Sequence, residues 1–224
     1  MSDVFKKMLR ASVGLVIAGL GIYFTMQANI GLAPWDALNQ GLADMFGTSF
    51  GNVSVATAFI VICIDLLLKE HIGYGTILDA IIVGKAVDFF NYISFIPVQH
   101  SLVTSIPLLI AGLFVISFAI YFYMSAGLCC GPRDMLMVAV GKRMRKIPIG
   151  YVNMGVLAAV VVVSFFIGAP IGIGTIISVF GLGFTMQIVN NIVKYEPRNT
   201  EHEDIIETTK RILRFRNDKV GEDF

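Results

Sequence analysis

The chain is 224 residues long, 56% hydrophobic and 15% charged, with a mean hydropathy of +0.77 and a formal net charge of +1. So little charge is rare in a soluble domain, whose surface must be solvated; it asks instead for several lipid-exposed helices of roughly 20 apolar residues each. The net charge names no partner, but the distribution of charge is informative.

Six apolar spans are predicted, at about 11–28, 53–68, 74–94, 105–124, 151–168 and 173–193. The lead before the first is short and charged and has no small-residue cleavage site, so span one reads as a retained helix. It runs through Ile22-Tyr23-Phe24 to Gly31-Leu32-Ala33-Pro34-Trp35-Asp36. Proline suits the first turn of a helix, and a carboxylate two residues later can cap free N–H groups. Apolar residues then recur at helical spacing to Phe46, which predicts a short helix. In span two Asp65 stands four residues before Lys69, and an ion pair reaching water is the expectation.

Gly73-Tyr74-Gly75-Thr76 opens span three; the glycines permit tight turning or close helix approach and the threonine can cap. Within that span Asp79 is expected to snorkel or neutralise, while Lys85 and Asp88 share a helix face as a mutual pair or as a substrate or proton site. Span four carries Ile120-Tyr121-Phe122 and leads to Cys129-Cys130-Gly131-Pro132-Arg133-Asp134, followed by a second short apolar helix and the basic run Lys142 to Lys146. Gly172-Ile173-Gly174-Thr175 opens span six, which holds Gln187, Asn190 and Asn191 near its end. These amides line a path or join helix to helix. From residue 195 the composition turns polar, and 202–216 read as an amphipathic helix on the lipid surface, under the bundle or against a partner.

The second half restates the first. Pro34 pairs with Pro132 and Asp36 with Asp134, 98 residues on; Gly51 pairs with Gly150 and Gly73 with Gly172, 99 residues on. Basic residues alternate between connections. Lys6, Lys7 and Arg10 precede span one, Lys69 follows span two, Arg133 to Lys146 lie between spans four and five, and seven more follow span six. The stretches 29–52, 95–104 and 169–172 hold none. The positive-inside rule therefore puts both termini in the cytoplasm.

Three spans per unit is odd, so the halves enter the membrane from opposite sides. The fold class is an all-α integral membrane protein of six transmembrane helices in two inverted three-helix repeats, each with a re-entrant or interfacial helix after its first span. The repeats cover 1–98 and 99–194, and a cytoplasmic tail covers 195–224. Pro34, Trp35 and Asp36 then stand at the outer mouth, and Pro132, Arg133 and Asp134 at the inner one.

Candidate pathway residues are Pro34, Trp35, Asp36, Lys85, Asp88, Pro132, Arg133, Asp134 and Gln187. Broken-helix N-termini carry partial positive charge and unpaired amides, so these motifs either receive an anion or only shape the end of the bundle. Arg133 could pair with Asp134, fork to an anionic solute, or serve as a positive-inside anchor. Trp35 reads equally as an interfacial aromatic. No nucleophile elbow, zinc-protease histidine pair or Walker lysine occurs, so the chain reads as neither enzyme nor cofactor protein. The histidines are scattered, so no metal site is expected, and Cys129 and Cys130 would be free thiols on the reducing side. The basic residues follow topology and leave no stripe for nucleic acid.

The stretches at 31–36 and 131–134, with the paired Gly-x-Gly-Thr elements, resemble the YczE/YitT family of bacterial integral membrane proteins, and more closely its YczE branch. The resemblance covers about residues 10–193 and implies a multi-pass protein of the inner membrane, with no catalytic residues to carry across. Two functions are expected to compete. One is a secondary transporter, exporter or channel for a small polar or anionic solute, the halves rocking about a mid-membrane site. The other is a non-transporting ligand-binding or accessory subunit, meeting a partner or a second copy through its tail.

Overall fold

Glycine or proline stands in every break between helices, where the apolar runs stop. In the computed structural model, which describes residues 2–70, 72–128, 131–144 and 149–195, the chain is helical in eight segments. These are α1 (Ser2–Ala28), α2 (Pro34–Phe46), α3 (Phe50–Leu67), α4 (Tyr74–Ile93), α5 (Leu102–Met124), α6 (Pro132–Arg143), α7 (Ile149–Phe166) and α8 (Ile173–Val193). The expectations for Cys129, Cys130 and the amphipathic 202–216 fall outside the described residues.

The helices at the six expected spans are α1, α3, α4, α5, α7 and α8. Four of them, α1 from Val4, α3, α5 and α8, are long and apolar enough to cross a bilayer. Of the other two, α4 carries Asp79, Lys85 and Asp88 within its apolar run, and α7 is 18 residues long, the length of α3. Three helix starts differ from expectation by three residues or more, α5 opening at Leu102 instead of about 105. The basic lead before residue 11 continues α1 as helix, and α3 starts three residues early because the Ser49 hydroxyl caps it, accepting from the Asn52 N–H.

α1 and α5 form the centre. Gly14 lies against Phe122 and Tyr123, and Gly21 against Gly112 and Ile116, so the two helices run antiparallel. Close contact depends on the missing side chains: a Cβ on Gly112 would lie 2.9 Å from the Gly21 carbonyl oxygen. Beside this pair α4 runs along α1, and α8 runs along α5. Gly19 meets Ala86 in the first contact, and in the second Ser117 and Thr185, the residues at corresponding positions, share a hydrogen bond of 2.7 Å.

The short helices cross between halves: α2 packs on α7 as well as α3, and α6 on α3 as well as α7. So do the loops. The Gly174 N–H donates to the Ile30 carbonyl at 2.7 Å, and the Gly75 N–H donates to the Leu128 carbonyl at 2.8 Å. A Cβ on Gly174 would stand 2.5 Å from the Gly31 carbonyl oxygen, so the second glycine of the motif is there to admit the other half's backbone. Thr76 and Thr175 accept from the Gly73 and Gly172 N–H groups, the capping expected of them.

These contacts define two ends. One gathers Gln27 to Leu32, Ile96 to Gln99 and Pro170 to Gly174, stretches without lysine or arginine. The other gathers Arg10, Glu70, Tyr121, Lys142 and Arg143, with Lys142 bonded to Glu70 at 2.6 Å and Arg143 to the Leu68 carbonyl.

Candidate functional site

α2 starts at Pro34 and α6 at Pro132, each with proline in its first turn and no side-chain bond to the cap. Proline gives up an N–H that would lack a partner there anyway. The remaining first-turn amides leave each N-terminus with roughly half a positive charge. With 13 and 12 residues the helices are about 20 and 18 Å long at 1.5 Å per residue, too short to span a bilayer.

The two starts meet. Arg133 Nη1 donates to Asp36 Oδ1 at 2.9 Å, and its guanidinium carbon stands 5.7 Å from the Trp35 ring centroid. A carboxylate on one half-helix, a guanidinium on the other and an aromatic face beneath it make one unit. Asp36 is 5% exposed, so the pair is largely withdrawn from water on the carboxylate side. Asp79 reaches in from α4: a Cβ on Gly131 would stand 2.9 Å from Asp79 Oδ2, and the charges of Arg133, Asp134 and Asp36 all act on it. Asp134 is exposed, and the Tyr123 hydroxyl from α5 donates to its Oδ2 at 3.4 Å.

Three expectations change here. Arg133 pairs with Asp36 of the other half and not with its neighbour Asp134. The two proline–aspartate motifs share one site and do not line separate mouths. Trp35 lies beside a guanidinium instead of acting only as an interfacial aromatic. The physical reason is common to all three: each motif sits at the buried start of a short helix that points back out, so the starts converge while the helices diverge.

Lys85 and Asp88 lie elsewhere and are not a mutual pair. Asp88 accepts from the Ser49 hydroxyl at 2.7 Å and from the Gly51 N–H at 2.8 Å, and Lys85 donates to Asn52 Oδ1 at 2.6 Å. Both therefore bind the start of α3, where open amides attract a carboxylate. Gln187, the counterpart of Asp88, is exposed. Asp65 does not reach Lys69: it is 0% exposed with neither carboxylate oxygen hydrogen-bonded.

Asp79 and Tyr123 were absent from the sequence candidates. A signal for Asp79 existed, since it lies one helical turn after Gly75, the residue that docks on the loop entering α6. Among the described residues no three His, Cys, Asp or Glu side chains are grouped to hold a metal ion.

A family model described as a family of unknown function, DUF6198, matches residues 5–191. The chain belongs to that family. It is 30% identical over 176 residues to the uncharacterized membrane protein YczE of Bacillus subtilis, covering 78% of this chain and 80% of that one. It is 27% identical to the uncharacterized protein YyaS of the same organism, over 84% of this chain and 94% of that one. A similar 27% relates it to an uncharacterized protein of Haemophilus influenzae, over 82% and 83% of the two chains. No solved structure matches. With the apolar helices, these relatives make the family member a membrane protein, and YczE-like as its motifs implied.

Proposed function

We propose that the protein is a secondary transporter or channel for a small polar solute, and not an enzyme. In this reading it is built from two inverted three-helix repeats in the cytoplasmic membrane, with both termini in the cytoplasm. One observation carries the reading: two half-helix starts meet inside the molecule at Arg133–Asp36, with two further carboxylates, Asp79 and Asp134, beside the pair. Charge within apolar helices is costly and marks pathways for solutes and protons. Half-helices meeting at a charged site are how many transporters bind their cargo. The antiparallel run of α1 and α5, and the gathering of basic residues at one end, support the inverted arrangement and its sidedness.

The charge balance bears on the solute. Counted as ionised, three carboxylates face one guanidinium and two helix N-termini of roughly half a charge each, a sum near −1. Arg133 is already bonded to Asp36 through Nη1, so an anion would have to compete with that carboxylate. A cationic or neutral polar solute fits this site better than an anionic one.

Purified protein in liposomes would be offered labelled amines, amino acids and organic acids. The expected result is uptake of a cationic or neutral member, accelerated by unlabelled solute inside and lost in Arg133→Ala and Asp79→Asn. Uptake without that acceleration assigns a channel. Binding with no flux overturns transport and leaves an accessory subunit.

A further inference from the structure

The two halves differ at one interface. In the first half α3 packs along the length of α4. Gly84 faces Gly51 so closely that a Cβ on it would lie 2.8 Å from the Gly51 carbonyl oxygen, and Ala58, Ile62 and Ala80 pack further along. At the end where α3 begins, Asp88 and Lys85 fasten it to α4. The corresponding helices in the second half, α7 and α8, make no such interface.

Instead an apolar cleft of about 540 Å³ lies between them, lined by Val161, Ile173, Ile176, Val179 and Phe180 among others. At the middle of α8, nothing described beyond the helix's own neighbouring backbone comes within 4 Å of where a Cβ on Gly183 would be. Tyr151 and Phe184, at the positions of Asn52 and Lys85, are 68% and 67% exposed. The sequence nevertheless keeps the close-contact pair, for Gly150 and Gly183 stand where Gly51 and Gly84 stand.

A glycine inside an exposed helix costs about 0.5–1 kcal/mol against alanine, and at Gly183 nothing in this conformation requires it. We propose that α7 closes on α8 in a second conformation, with Gly150 and Gly183 making the contact that Gly51 and Gly84 make here, while α3 parts from α4. The occupant of the cleft is then α7 itself. Two packings of equivalent helices, one made and one open, exchange between halves, which alternates access to the Arg133–Asp36 site. This rests on the transport reading above, because it supplies the movement such a carrier needs.

Paired cysteines test it in a background with Cys63, Cys129 and Cys130 replaced by serine. Ala58→Cys with Ala80→Cys probes the closed interface, and Leu157→Cys with Val179→Cys probes its open counterpart. Membranes would be treated with a thiol oxidant, since bridging needs Cα atoms within roughly 7 Å. The expected result is that each pair bridges, and that bridging 58 to 80 lowers bridging of 157 to 179 when all four are present. If 58 and 80 bridge fully and 157 and 179 never do, the exchange is wrong. Solute flux measured on the same protein separates the two claims. Flux without a 157–179 bridge sinks the exchange alone, and a 157–179 bridge without flux sinks only transport.

Discussion

Arg133 is the residue on which the site turns. Its loss leaves Asp36 buried without a cation, and breaking a pair of this kind costs on the order of 3 kcal/mol. Arg133→Ala should therefore lower the thermal unfolding temperature in detergent, and adding Asp36→Asn should restore most of the loss. If the double variant unfolds no later than the single one, the pair is not what holds the half-helices together. Asp88→Ala removes two charge-assisted bonds, to Ser49 and Gly51, each worth about 1.5–3 kcal/mol. Amide exchange at residues 49–53 should accelerate while the start of α7 is unchanged. Neither partnership could be read from the chain. Lys85 and Asp88 are three residues apart on one helix, which suggests a local pair, but the open amides of α3 compete for the carboxylate and win.

At the scale of the helix, positions were largely legible and contacts were not. Gly31, Pro34, Gly131 and Pro132 announce where spans stop and short helices start, because they alter local backbone options wherever they fall. Which helix a short segment packs against is a tertiary matter, and α2 on α7 leaves no mark in periodicity. Two glycines in α8 make the distinction testable. Gly174→Ala would push a methyl to 2.5 Å from a carbonyl of the facing loop and should destabilise by several kcal/mol or prevent assembly. Gly183→Ala meets nothing in this conformation and should raise stability by about 0.5–1 kcal/mol, read as a later unfolding transition. Equal losses for both would mean that Gly183 is packed after all.

For the whole molecule, the paired motifs 98 to 99 residues apart and the alternation of basic connections are legible at once, because each is a pattern along the sequence. The meeting of the two proline–aspartate motifs is not. Topology assigned them to opposite sides, and only the inward starts of α2 and α6 bring them together. Sidedness can be checked with a membrane-impermeant maleimide on intact cells in the serine background. Thr48→Cys, on the connection free of basic residues, should label from outside, and Met144→Cys only after the cells are opened. Both residues are exposed, so access does not confuse the result. Labelling of both from the same side would undo the inverted arrangement.

The reciprocal bonds from Gly174 to Ile30 and from Gly75 to Leu128 bear on how the chain is made. The loop leaving α1 has its docking place on a helix synthesised more than a hundred residues later, so the amino-terminal portion emerges from the ribosome with that partner still unborn. Neither portion can complete itself, but two pieces cut between Ile93 and Leu102 and produced together carry matching surfaces. They should find each other in the bilayer and co-purify, whereas either piece alone should be cleared by the cell's proteases.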